Sequence, residues 1–257
     1  MRRGLAPSRQ QAQAHIDAGR VTVDGAPADK AARLVEPGQA LRVLGPPPRF
    51  VGRGGEKLDA ALDAFGLSVA SCRAIDVGAS TGGFTDCLLQ RGAATVAAID
   101  VGYGQLHERL RADPRVEVHE RTNVREVVPG DVGPPADLLV ADLSFISLRT
   151  VLPAVTALGR PGADLVVLVK PQFEAGRVEA ARGRGVIRDP AVWRRVLEEI
   201  AAALTDLEAA IMGAMASPLT GADGNVEFLV HARLAPAQAT EDPAGLVDAA
   251  LAQVEGP

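Results

Sequence analysis

Apolar positions in this chain cluster into short unbroken runs separated by amphipathic stretches. Leu165-Val166-Val167-Leu168-Val169 is the clearest run, with no polar alternation. Such a run fits a strand covered on both faces, as in a parallel sheet. On this reading strands fall at Arg73–Val77, Thr95–Asp100, Val116–His119, Asp137–Ala141, Asp164–Val169, Ala209–Ala216 and Val226–Ala232. Helices fall between them near Gly83–Arg91, Gln105–Ala112, Leu148–Leu158 and Ala191–Leu204, and Asp242–Val254 reads as a final amphipathic helix. Repeated strand–helix alternation predicts an α/β fold, a Rossmann-like doubly wound sheet.

The first 45 residues follow a different pattern. A helical stretch from Ser8 to Ala18 ends at Gly19, suited to the position just past a helix. Arg20-Val21-Thr22-Val23 then alternates into an Asp24-Gly25 turn, and Pro37-Gly38 precedes a second short strand, Ala40–Leu44. The stiff Pro46-Pro47-Pro48 spacer follows. The expected organisation is a small module over 1–45, a Pro-rich linker over 46–56 and a large α/β domain over 57–257.

Charge separates the same two regions. The chain carries a net −5. Residues 1–58 hold ten Lys+Arg against five Asp+Glu, a net +5, and the remainder holds 17 against 27, a net −10. A basic front on an acidic body suggests that the front meets a polyanion, with Arg2, Arg3, Arg9 and Arg20 as candidate contacts. Two cysteines, Cys72 and Cys87, exclude a disulfide framework and a cysteine-rich zinc site. His15, His107, His119 and His231 lack ligand spacing, so no metal site is expected. No apolar run reaches the roughly 20 residues of a membrane span, and Met1–Gln11 lacks the apolar segment of a secretion signal, so a cytoplasmic location is expected.

Of 27 cations only three are lysines, Lys30, Lys57 and Lys170. Where arginine is the default, lysine marks positions that need a compact charge or a proton that can leave. Ala74-Ile75-Asp76-Val77-Gly78-Ala79-Ser80-Thr81-Gly82-Gly83-Phe84-Thr85 reads as a strand, a glycine-rich turn and a helix start, where the backbone can approach a ligand. Ser80 occupies the second glycine of the dinucleotide pattern, and the phosphate-loop pattern is absent. An acid in the strand followed by Gly-x-Ser-x-Gly-Gly is instead the pattern of S-adenosylmethionine (SAM) methyltransferases. Asp100 closes the next strand, where its carboxylate can accept from ribose hydroxyls. Asp142 and Lys170 lie just past two later strands, on the side where open α/β sheets bind ligands.

At these residues the chain resembles the FtsJ-like RNA 2′-O-methyltransferases, and within them the TlyA family. Lys57, Asp142, Lys170 and Glu227 match the family's K-D-K-E tetrad. The blocks Gly78–Thr85, Asp100–Gln105, Arg121–Asn123, Ala141–Ser147, Val169–Glu174 and Ser217–Phe228 match as well. The resemblance implies an S4-type RNA-binding module joined to a domain that methylates cytidine 2′-hydroxyls in ribosomal RNA. It implies SAM as cofactor, held by Asp76, Gly78, Ser80, Thr81, Gly82, Gly83, Phe84, Asp100, Asn123 and Asp142. RNA contacts would include Arg53 and, in an Arg-rich loop after Lys170, Arg182 and Arg184. The partners would be ribosomal RNA or ribosomal subunits. Two departures stand out: the S4-like module begins as though about ten residues of its first helix were absent, and Phe50 replaces the family's linker tryptophan. The family also carries a haemolysin label, so a membrane-active protein is the rival class. An RNA-binding protein with an inactive methyltransferase domain is a third reading.

Overall fold

The computed structural model describes residues 3–6, 9–46, 48–176, 179, 183–221, 223–235 and 242–254; the side chains of 9–11 and 14 are outside that description. The chain forms two compact units, Met1–Arg49 and Phe50–Pro257.

In the first unit, helix α1 (Arg9–Asp17) is followed by strands β1 (Val21–Val23), β2 (Ala26–Pro27) and β3 (Leu41–Val43), paired antiparallel in the order β2-β1-β3. The turn joining β1 to β2 is Asp24-Gly25, both with positive φ (50° and 83°), the two-residue turn whose twist matches the strands. Its core is small: Val21, Val23 and Ala28 are buried, with Ile16, Val35, Leu41 and Val43 packed around them.

The second unit holds a seven-stranded sheet in the order β6-β5-β4-β7-β8-β10-β9. Its strands are β4 (Arg73–Val77), β5 (Thr95–Ile99), β6 (Val116–His119), β7 (Ala136–Ala141), β8 (Gly159–Val169), β9 (Ala210–Ala216) and β10 (Phe228–Arg233). The helices are α2 (Gly54–Ala64), α3 (Gly83–Gln90), α4 (Glu108–Arg111), α5 (Leu148–Thr156), α6 (Pro171–Glu174), α7 (Pro190–Asp206) and α8 (Pro243–Ala252). Asp189 and Asp242 cap α7 and α8, each followed by a proline whose missing N–H is no loss at that position.

The unbroken apolar runs have a direct cause. Leu165, Val167 and Val169 point into one core with Leu139, Ala141 and residues of α5, α7 and α8. Val166 and Leu168 point into a second with Leu138, Val140 and residues of α2 and α3. Both faces of the central strands are covered, so neither face can be polar.

Three details depart from the sequence reading. The sheet is mixed, because β10 lies antiparallel between β8 and β9. Helix α2, carrying Lys57, was not anticipated; its first residues, Gly54–Glu56, lie in the stretch expected to be linker. The helix expected at Gln105–Ala112 shrinks to the single turn α4, which His107 caps by accepting from Arg109 N at 3.2 Å.

Candidate active site

Register alone gathers the chemistry at one edge of the sheet. The parallel pairing of Val77 with Ala141 sets Gly78 beside Asp142. The antiparallel pairing of Phe228 with Val169 sets Glu227, one residue before β10, across from Lys170, one residue after β8. These residues come from distant parts of the chain and meet at the carboxyl ends of the parallel strands.

The glycine-rich turn is held by carboxylates. Asp76, fully buried on β4, accepts at Oδ2 from Thr85 N at 2.9 Å and Thr85 Oγ1 at 2.6 Å. Its Oδ1 is buried with no hydrogen-bond partner among the described residues. Burial pushes the Asp76 carboxyl up to about 7, and the nearby charges of Asp142 and Asp100 add to the rise. Asp100 accepts from Ser80 N at 2.7 Å and Gly102 N at 2.6 Å, fixing the turn against the end of β5. Gly78 has φ +85°, and a Cβ there would meet the Asp142 carbonyl oxygen at 2.5 Å. Only glycine fits at that position.

Two lysine–carboxylate pairs complete the site. Lys57 Nζ pairs with Glu227 Oε2, both side chains nearly removed from solvent. Lys170 Nζ lies 2.5 Å from Asp142 Oδ1 and donates to Ser144 Oγ at 2.9 Å. The start of α2 lies against this second pair, since a Cβ on Gly54 would sit 3.5 Å from Asp142 Oδ2.

Other residues singled out from the sequence have different surroundings. Gly82 and Gly83 open α3, and Gly83 packs against the backbone of Gly52–Gly55. Thr81 is exposed, and its carbonyl accepts from His107 N at 3.2 Å. Phe84 is buried in the core against Gly54. Asn123 caps a single 3₁₀ turn (Val124–Glu126), accepting from Arg125 N at 3.2 Å. Arg3 donates to the carbonyls of Glu36, Pro37 and Gln39, and Arg20 to those of Leu44 and Pro46, so both hold loops of the first unit. Arg53, exposed, donates to the Thr220 carbonyl near Glu227, and Arg184 is exposed with φ +50°. Arg2 and Arg182 lie outside the described residues, as does the side chain of Arg9 at the start of α1.

Sequence reasoning did not single out six residues in this neighbourhood. Ser144 touches Lys170, and Glu174 is buried just beyond it. Phe145 is 91% exposed with φ +67°, its ring 5.2 Å from that of Phe173. Arg121 stacks on the exposed ring of Tyr103 at 4.1 Å, beside the Asp100 turn. Aromatic scarcity was an available signal: the chain has six Phe, one Tyr and one Trp, so an aromatic in a polar strand-end loop is as conspicuous as a lysine.

The model of the FtsJ-like methyltransferase family matches residues 50–234, and that of the S4 domain matches residues 2–41. The 16S/23S rRNA (cytidine-2'-O)-methyltransferase TlyA of Mycobacterium tuberculosis is 52% identical over 234 residues, which are 91% of this chain and 87% of that protein. The chain belongs to the TlyA family of FtsJ-like methyltransferases. Hemolysin A of Brachyspira hyodysenteriae is 38% identical over 89% of this chain and 95% of its own length. A solved structure from Streptococcus thermophilus, provisionally named a hemolysin, superposes with a TM-score of 0.82 at 39% identity, covering 99% of this chain and 92% of that one.

TlyA-family enzymes use SAM, and the residues present fit it. Its sulfonium and ammonium are cationic, and Asp76, Asp100 and Asp142 bring three carboxylates to adjacent strand ends. Carboxylates at such a turn favour a cationic group. The unpartnered Asp76 Oδ1 supplies an acceptor, the Gly78 turn supplies close backbone approach, and Asp100 retains lone pairs for ribose hydroxyls. SAM brings an activated methyl group, so the protein's task is to orient and deprotonate the acceptor.

Proposed function

We propose that this protein transfers a methyl group from SAM to the 2′-hydroxyl of a ribose, a cytidine's, in ribosomal RNA. The observation that carries the reading is the Asp142–Lys170–Ser144 arrangement beside the glycine-rich turn, next to the Lys57–Glu227 pair. The M. tuberculosis relative's name supports the same substrate.

A ribose hydroxyl is a weak nucleophile, so orientation and removal of its proton are what a protein can contribute. Lys170 is held on two sides, by Asp142 and by Ser144, leaving one direction of its nitrogen for an incoming hydroxyl. As the carbon–oxygen bond forms, the hydroxyl proton passes to the Asp142–Lys170 pair, within which a proton can shift from nitrogen to carboxylate. The pair thus acts as one base, the carboxylate gaining a proton as the nitrogen accepts the hydroxyl's. Lys57 and Glu227 orient the ribose from the neighbouring strand end. The exposed rings of Phe145 and Tyr103 offer faces on which unstacked bases can lie.

In this proposal residues 1–45 are the RNA-binding module, 46–56 the link and 57–257 the catalytic domain. Arg53 and Arg184 bind phosphates, and so do Arg2, Arg9 and Arg182, while Arg3 and Arg20, whose guanidiniums hold loop carbonyls, keep that module's loops in place. Incubating the protein with tritiated SAM and unmodified ribosomal subunits, then mapping the label by reverse transcription, tests the whole reading. Label at a cytidine ribose is expected; label on protein, on a base, or nowhere overturns it. The hemolysin name of some relatives motivates a parallel liposome-leakage assay, in which no release is expected. Among the described residues no helix is long and apolar enough to cross a membrane.

A further inference from the structure

Glu174 ends the short α6, one turn past Lys170, and is only 5% exposed. Its carboxylate accepts from Ser147 Oγ at 2.5 Å and from Leu148 N at 2.7 Å. Leu148 N is the first N–H of α5, and Ser147, the residue that ought to cap this helix, makes no side-chain cap of its own. A carboxylate from another loop caps α5 instead. Arg149 joins the same knot: its Nε lies 3.8 Å from Glu174 Oε2, its Nη2 donates to the Glu174 carbonyl, and its Nη1 pairs with Glu199 at 2.8 Å.

This contact ties together the two loops that carry the proposed chemistry. The loop after β7 holds Asp142, Ser144 and Phe145; the segment after β8 holds Lys170 and Phe173. Lys170 with Asp142 and Ser144, and Phe145 with Phe173, also bridge them, but those residues face the substrate side. Glu174 bridges them from the buried side. Between its anchor and Asp142 the backbone includes Phe145 at φ +67°, a strained conformation that persists only where its surroundings hold it. A buried carboxylate is costly unless hydrogen-bonded, and this one is fully engaged with the other loop.

We propose that Glu174 is a positioning residue: it latches the Asp142–Leu148 loop to the segment after β8 and so fixes Lys170 against Asp142 and Ser144. For its effect on turnover the inference rests on the methyltransferase reading above. The latch itself does not. Glu174→Ala removes both acceptors, whereas Glu174→Gln keeps one for Leu148 N and lets the Ser147 hydroxyl turn to accept from the amide.

The test measures hydrogen–deuterium exchange across 143–148 in the full chain, together with kcat, the KM for RNA and SAM affinity by calorimetry. In Glu174→Ala, faster exchange confined to that loop is expected. With it, kcat should fall about ten- to a hundredfold while KM and SAM affinity stay within about twofold. Glu174→Gln should recover most of kcat. Unchanged exchange overturns the latch. Faster exchange with wild-type kcat, or a loss shared equally by SAM affinity, overturns the positioning role. Should Glu174→Ala fail to fold, Ser147→Ala removes one contact alone and is expected to give the same pattern at smaller amplitude; its absence there overturns the proposal. A wild-type protein that methylates no RNA would refute the proposed function, while the exchange readout would still judge the latch.

Discussion

The site contains two lysine–carboxylate pairs of the same chemical type in different surroundings. The Lys57–Glu227 pair is closed off, with side chains 8% and 3% exposed, whereas those of the Lys170–Asp142 pair are 11% and 24% exposed and Ser144 beside it is open, so the contrast lies with the carboxylate and the serine. A buried pair is held by the absence of any alternative partner, because neither charge can turn to water. A pair at the mouth of a crevice can exchange its partner for a substrate. The first pair joins α2 to the start of β10, a fixed point from which the proposed mechanism orients the ribose, and that mechanism gives proton transfer to the second, more open pair.

Substitutions at each pair should separate these roles. Lys170→Ala is expected to lower kcat about 10³-fold, the scale of a lost acid–base group, with little change in the urea midpoint. Lys170→Arg should stay similarly slow, since guanidinium keeps its proton. Lys57→Met strands Glu227 as an unpaired buried charge and should destabilise the fold by about 3–5 kcal/mol, read from the same urea titration. Adding Glu227→Leu should restore most of that stability without restoring turnover. A large stability loss at Lys170, or none at Lys57, would erase the distinction between the two pairs.

A smaller effect concerns the buried carboxyl of Asp76. With its carboxyl raised to about 7 by burial, the free protein holds a proton there at lower pH. A cationic cofactor favours the carboxylate, so SAM affinity should be full above about pH 7 and fall as pH drops through it, by up to tenfold per unit. The sign is opposite for the free protein's stability. The folded state holds this proton more tightly than the unfolded chain, so stability declines as pH rises from about 4 to about 7. Calorimetric titration with SAM across that range should give this slope, and Asp76→Asn should flatten it.

Much of the fold could be read from the pattern of residues. The run 165–169 is apolar because both faces are covered, and Asp24-Gly25 turns a hairpin because its backbone needs two positive φ values. The scarcity of lysine pointed to Lys57 and Lys170 before any geometry was considered. Arg3 and Arg20 were harder: composition marks them as cations, yet their guanidiniums hold carbonyls of neighbouring loops. Charge in a sequence has no direction, and a hydrogen-bond partner 20 or more residues away is invisible to it.

The sequence by itself therefore determined the alternation of elements, the glycine turn and the candidate site residues, because each depends on local periodicity or on residue chemistry. Only the tertiary structure decided their pairing. Glu227 meets Lys57 across 170 residues because β10 enters antiparallel beside β8, and Glu174 caps α5 from another loop because burial leaves its carboxylate no water to bind. Strand order and burial arise from the whole chain packing at once, and no local stretch encodes them.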